Sequence, residues 1–234
     1  VNPIKREVVI GDCRLLLGDM AQILPTLGYF DLCLTDPPYG IGRDGQVETT
    51  GGNGGRKFYE HKGWDRDRPL PSAFDAIFLR SRDQIIWGGN YFADMLPASG
   101  KWLVWDKGQR INQSDGELAY TSRDGALRIM TLNRVALMTD GAEHPTQKPV
   151  ELMSWCLDQF PDASLVVDPF MGSGSSGVSC VRRGRMFTGI ELDPAYFEVA
   201  CRRIHDAYSR PDLFIEAAAS PPEPIQQPLF GEPA

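Results

Sequence analysis

The sequence predicts an α/β domain: a mostly parallel sheet with helices on both faces. Short apolar, β-branched runs alternate with helical periodicity through the first 210 residues. A glycine-rich turn stands between one such run and a helix. Acid- or proline-bearing turns follow several runs, where the carboxyl edge of a parallel sheet would lie. With 42% hydrophobic residues in 234, the chain carries enough apolar material for a substantial core.

Seven runs read as strands: Glu7–Ile10, Asp31–Thr35, Gln84–Trp87, Lys101–Trp105, Arg134–Met138, Leu165–Val167 and Met186–Ile190. Most are continuous apolar stretches, as buried strands require. Between them, Leu16, Met20, Ile23 and Leu24 fall on one helical face. So do Leu152, Met153, Cys156, Leu157 and Phe160, and later Phe197, Ala200, Cys201, Ile204 and Tyr208. The last helix opens at Asp193-Pro194, a capping acid followed by a proline at the first helical position, where its missing N–H costs nothing.

Residues 40–63 break the pattern with eight of the 24 glycines and no apolar periodicity. This loop, reaching to about residue 68, is expected to be mobile and functional. Residues 211–234 hold six of the 18 prolines, no Lys or Arg, and four acids, so they read as a flexible tail carrying −4 of the net charge of −7. The domain itself is expected over residues 1–210.

Net charge has the wrong sign for non-specific nucleic-acid binding, so any polyanion must meet a local basic patch. No apolar run approaches the ~20 residues that cross a bilayer, and the opening VNPIKREVVIGD lacks a signal peptide's apolar centre, so a cytosolic location is expected. Cys13, Cys33, Cys156, Cys180 and Cys201 are odd in number and scattered, which suits buried thiols better than a disulfide framework or zinc site.

Leu165-Val166-Val167-Asp168 runs into Pro169-Phe170-Met171 and then Gly172-Ser173-Gly174-Ser175-Ser176-Gly177. Glycines there turn the backbone sharply and expose N–H groups at a helix start, where an anion is favoured. The next strand ends in Glu191, an acid placed to accept from ribose hydroxyls. A dinucleotide is one candidate guest. Asp168, just ahead of the turn, would repel a pyrophosphate and would suit an amine or cation; S-adenosylmethionine offers both.

Phe30–Thr35 delivers Asp36-Pro37-Pro38-Tyr39-Gly40 to the same edge. Two successive prolines fix their own φ and restrict Asp36, so carboxylate, carbonyls and ring are held with little freedom. A carboxylate beside a carbonyl can accept both hydrogens of an exocyclic amine while an aromatic ring stacks on the base that bears it.

Together, DPPYG, HPTQKPVELM, VVDPFMGSGSSG and GIELDPAYF resemble the amino-methylating DNA methyltransferases over roughly residues 7–208. The catalytic motif precedes the cofactor motif, as in the permuted beta class. The resemblance implies a Rossmann-like seven-stranded sheet, S-adenosylmethionine as cofactor, no metal, and direct in-line transfer to the N6 amine of a flipped adenine, often within restriction-modification systems. Asp36 and the Pro37 carbonyl would hold the amine, Pro38 would shape the pocket, and Tyr39 would stack on the base. Asp168, Phe170, Gly172, Ser173 and Gly174 would meet the methionine part of the cofactor, Glu191 its ribose, Thr146 and Lys148 its carboxylate, and Asp12 of Gly11-Asp12 its adenine. His144 and Gln147 could equally cap the helix that follows.

Arg43, Arg56, Lys57 and Lys62 of the long loop, with Lys107 and Arg110, are candidate phosphate contacts. A short target-recognition region would fall at about 108–142. Leu118, Ala119 and Tyr120 resemble a segment packed against the target base, although Tyr120 suits a core equally. Cytosine N4 is the rival target, since both are exocyclic amines, and a silent DNA-binding subunit that keeps the motifs as scaffold is the rival class. Asp ahead of Pro-Pro-Tyr favours adenine in such families. DNA is the expected partner, a homodimer is compatible with the family, and Gln226-Gln227-Pro228-Leu229-Phe230 resembles peptides that dock into sliding clamps.

Overall fold

Successive buried side chains along the strands point to opposite faces of the sheet and sort the core into two layers. Leu15 and Leu17 face one side of the sheet and Leu16 the other, and the same split separates Ile85 from Ile86 and Val166 from Val167. This computed structural model describes residues 2–42, 63, 65–108, 114–133 and 147–209. Within them the strands are β1 (Arg6–Ile10), β2 (Cys13–Leu17), β3 (Phe30–Thr35), β4 (Ser81–Trp87), β5 (Trp102–Asp106), β6 (Gly116–Thr121), β7 (Arg128–Thr131), β8 (Leu165–Asp168) and β9 (Met186–Glu191). The helices are α1 (Met20–Ile23), α2 (Pro71–Arg80), α3 (Val150–Asp158), α4 (Ser175–Arg182) and α5 (Pro194–Ser209).

The sheet order is β1-β2-β9-β8-β3-β4-β6-β5-β7. The run β2-β9-β8-β3-β4 is parallel throughout, and antiparallel pairs appear only where β1 joins β2 and where β6 joins β4 and β5. Side chains of α3, α4 and α5 fill one face, around Leu32, Trp87 and Phe187. Side chains of α1 and α2 fill the other, around Cys33, Ile86 and Ile190. Each fully buried aliphatic or aromatic side chain contributes about 1.5–3 kcal/mol.

The sheet therefore has nine strands among the described residues rather than seven. Cys13–Leu17 is the first departure: Leu16 belongs to a strand, not to the helical face shared by Met20, Ile23 and Leu24. A strand buried on both faces carries no alternation, so Leu15-Leu16-Leu17 could extend either periodicity. β6 and β7 were also not expected, and the expected strand Arg134–Met138 lies outside the described residues. The helix start at Asp193 is as expected, with its carboxylate accepting from the Ala195 and Tyr196 N–H groups at 2.8 and 3.1 Å.

Candidate active site

From β8 the chain turns through α4 to β9 on one side, while from β3 it passes to β4 on the other. The gap between the carboxyl ends of β8 and β3 is thus the point where the winding reverses, the usual ligand crevice of such sheets. The Thr35 hydroxyl donates to Asp168 Oδ1 across it at 2.7 Å. A cavity of about 530 Å³ opens here, lined among others by Asp36, Pro38, Lys148, Asp168, Phe170 and Glu191.

Asp168 is buried, and its two oxygens accept from Thr35, from Ser176 Oγ at 2.5 Å and from the Phe170 N–H at 3.0 Å. A carboxylate has about four acceptor positions, which leaves room for one further donor. Burial pushes its pKa up to about 6, with the Ser176 and Thr35 hydroxyls pulling the other way. Glu191 accepts from the Gly172 N–H at 2.9 Å and the Asp193 N–H at 2.7 Å, and burial pushes it up to about 7. Phe170, Gly172 and Ser173 line the cavity, and Arg203 braces Ser173 through its carbonyl and hydroxyl at 2.8 and 2.9 Å.

The Asp-Pro-Pro-Tyr turn is held from three directions. Tyr39 donates its hydroxyl to Asp36 Oδ1 at 2.6 Å, which ties ring to carboxylate. Asp65, itself buried, accepts from the Tyr39 and Gly40 N–H groups on one oxygen at 2.7 and 2.9 Å. The Tyr39 ring stacks on Tyr91, centroids 4.8 Å apart, and lies against Gly88, where a Cβ would sit 2.1 Å from a ring carbon. Gly88 adopts φ +70°, so both its backbone and its missing side chain are required. Pro38 lines the cavity, whereas Pro37 is buried behind it.

Lys148 reaches Asp36 Oδ2 at 2.6 Å and the Tyr39 oxygen at 3.3 Å. Its ammonium also lies 3.1 Å from Glu117 Oε2, and Lys107 lies 2.7 Å from Glu117 Oε1. Four alternating charges therefore run Asp36–Lys148–Glu117–Lys107. Burial works against the Lys148 charge, but Asp36 and Glu117 outweigh it and hold the ammonium above the ordinary lysine range. Burial likewise opposes Glu117, yet its two lysines bring it down to about 2. Asp36 is raised by burial and by the nearby Glu117 charge, which Lys148 and the Tyr39 hydroxyl offset only in part.

Several expected residues stand elsewhere. Asp12 lies exposed in the β1–β2 turn, at the amino edge, its N–H donating to the Tyr208 hydroxyl at 2.8 Å. The cavity is lined instead by Gly18 and Asp19, the same dipeptide seven residues on, because the intervening residues form β2. Gly174 abuts Ala200 of α5, where a Cβ would be 3.0 Å from the Ala200 Cβ, and does not line the cavity. Lys107 is buried on Glu117 and beside the Trp105 ring, so it does not offer an exposed phosphate contact. Arg68 is engaged by Asp94 and the Tyr91 carbonyl. Tyr120 is core, edge-on to Trp102. Cys13 and Cys33 are buried thiols, and burial pushes Cys13 up to about 11 and Cys33 well above the ordinary thiol range. Arg43, Arg56, Lys57, Lys62, Arg110, His144, Thr146 and Gln226–Phe230 lie outside the described residues. Sequence reading missed Asp19, Asp65 and Glu117; only Asp19 had a local signal, the repeated Gly-Asp.

Among the described residues no helix is long and apolar enough to cross a membrane. A family profile described as DNA methylase matches residues 86–202. The Type II methyltransferase M2.MboI of Moraxella bovis is 40% identical over 146 residues, 61% of this chain and 48% of its own length. M2.DpnII of Streptococcus pneumoniae is 27% identical over 151 residues, 64% of this chain and 52% of its own. The chain thus spans about half the length of these relatives. Among solved structures, an M1.HpyAVI–SAM complex superposes with a TM-score of 0.57 at 20% identity, covering 82% of this chain and 99% of that one. The cytosine-N4-specific PvuII DNA methyltransferase gives 0.57 at 14%, covering 88% and 95%. The profile spans half of the chain, from the end of β4 through Glu117, Lys148, Asp168 and Glu191 into α5, and by that match the chain belongs to the N6/N4 DNA methylase family.

Proposed function

We propose that this chain transfers a methyl group from S-adenosylmethionine to the N6 amine of an adenine rotated out of the DNA helix. The observation that carries this reading is the Asp36–Tyr39 unit: a carboxylate lining the crevice, hydrogen-bonded at 2.6 Å to a ring held by Gly88 and Asp65. The crevice suits the cofactor. Its volume of about 530 Å³ falls in the range of about 300–1,000 Å³ usual for such ligands. Its acids Asp168, Glu191 and Asp19 suit an amine, hydroxyls and an aminated base, and Phe170, Met171 and Ile190 supply apolar walls.

The cofactor supplies a methyl group made electrophilic by a sulfonium. Asp36 would accept a hydrogen bond from the target amine and steady the charge that grows on nitrogen as the new C–N bond replaces the methyl–sulfur bond, whose electron pair stays on sulfur. Because burial raises its pKa, Asp36 is also suited to take up the proton that this nitrogen then loses. Tyr39 offers a face to the extruded base, whose unstacking costs a few kcal/mol. Position is the main contribution, since nucleophile and methyl carbon must meet in line.

Adenine is favoured by the aspartate ahead of Pro-Pro-Tyr. The fold does not discriminate, since the cytosine-N4-specific PvuII enzyme shares it. The test is to incubate the protein with labelled cofactor and mixed-sequence DNA, digest, and identify the labelled nucleoside, with Asp36→Ala as control. N6-methyladenine is expected from the wild type alone. N4-methylcytosine overturns the choice of base, and a protein that binds cofactor yet labels no DNA overturns the reaction.

A further inference from the structure

Lys148 poses a problem for the proposed chemistry. Its ammonium donates to Asp36 Oδ2 at 2.6 Å, on the carboxylate that the target amine must use. Lys148 is only 5% exposed, so it cannot turn to water when an amine arrives. Once Asp36 takes up the proton of the amine, Lys148 loses its counter-charge, and a buried cation without one is strongly disfavoured, so some other acid must hold it.

The acid in place is Glu117. Its Oε2 lies 3.1 Å from the Lys148 ammonium as an ion pair, without the geometry of a hydrogen bond, and that oxygen is buried with no hydrogen-bond donor among the described residues. An acceptor thus stands ready for Lys148 to align with. Lys107, at 2.7 Å from the other oxygen, keeps Glu117 itself neutralised. The four groups sum to zero charge, so Lys148 can shift from Asp36 to Glu117 without stranding any member.

Building on the proposed methyl transfer, we infer that Glu117 is a positioning residue: it takes over Lys148 and thereby frees Asp36 for the incoming amine. It touches neither substrate nor cofactor, and acts through Lys148. Without its charge, Lys148 has Asp36 as its only acidic partner among the described residues, and that pair opposes the protonation of Asp36.

The experiment compares full-length wild type, Glu117→Gln, and Glu117→Gln combined with Lys107→Met, which restores the charge balance. Steady-state methylation of DNA gives kcat and KM, titration calorimetry gives the cofactor Kd, and melting gives Tm. A kcat lowered 10- to 100-fold in both variants, with cofactor Kd within threefold of wild type and Tm recovered in the double variant, is the expected pattern. A double variant that regains wild-type kcat along with its Tm reduces Glu117 to a structural ion-pair partner and overturns the inference. So does wild-type kcat in the single variant. Absence of transfer by the wild type removes the underlying reaction, an outcome distinct from full-rate transfer by the variants.

Discussion

The ring of Tyr91 lies flat on the ring of Tyr39, with centroids 4.8 Å apart and planes 15° from parallel. Arg68 holds the Tyr91 carbonyl at 2.7 Å and grips Asp94 with two further bonds. A base that stacks on this face of Tyr39 must displace Tyr91 first. Ring pairs contribute about 0.5–1.5 kcal/mol, so Tyr91→Ala is expected to lower KM for DNA about fivefold. Tyr91→Phe should behave as wild type in the same steady-state assay.

Asp36→Asn keeps the size of the side chain and removes its charge. Loss of one preorganised polar group at a reacting centre costs about 100- to 1,000-fold in kcat, and that loss is expected here. Cofactor affinity, followed by calorimetry, should stay within about threefold of wild type, since Asp168 and Glu191 are untouched.

Asp65→Ala removes the acceptor of two backbone N–H groups in the Asp-Pro-Pro-Tyr turn. Hydrogen bonds to a charged group contribute about 1.5–3 kcal/mol each, so chemical denaturation should show a loss of about 3 kcal/mol. Activity should fall further than stability alone explains, because Tyr39 and Asp36 lose their fixed position.

Gly88→Ala places a methyl group 2.1 Å from a Tyr39 ring carbon and forces an L-residue to φ +70°. The backbone term alone is about 1–2 kcal/mol. The ring must move, and methylation should drop by more than tenfold while circular dichroism stays native.

Glu191 and Asp168 titrate high, at about 7 and about 6, because burial disfavours their charge. Ligands that donate to these carboxylates need them ionised, so cofactor Kd should weaken about tenfold from pH 7 to 6 and about a hundredfold per unit below about 6, where both groups protonate. Glu191→Gln should flatten that profile in calorimetry from pH 5.5 to 8.5. Stability of the free protein runs the opposite way. Both groups bind their proton more tightly folded than at their ordinary values of 4.5 and 3.8, so this contribution is complete below about pH 4. It is lost as pH rises through about 6 to 7, and melting temperatures measured across that range should fall accordingly.

Much of the fold was legible because parallel central strands such as Asp31–Thr35 and Leu165–Val167 are short, apolar and followed by punctuating turns. β2 was not, since Leu15, Leu16 and Leu17 are all buried and carry no period of their own. That single misreading placed the expected cavity acid at Asp12, before the strand, whereas Asp19, after it, lines the cavity. The Asp-Pro-Pro-Tyr turn and the glycine turn were legible because their sequence signals are local. Asp65 and Glu117 were not: their segments drew notice, but each side chain acts across space, on Tyr39 26 residues away and on Lys148, and no local pattern singles it out.

The fit between Gly88 and Tyr39 also imposes an order on evolutionary change. A lineage that first shrinks position 39 gives up its ring and removes the steric bar at position 88, leaving only the φ of +70° to favour glycine there. A lineage that first enlarges position 88 meets an immediate penalty and has no neutral path onward, because the two sites are strongly coupled. Divergence at this pair is therefore a one-way street: the ring is surrendered before the glycine.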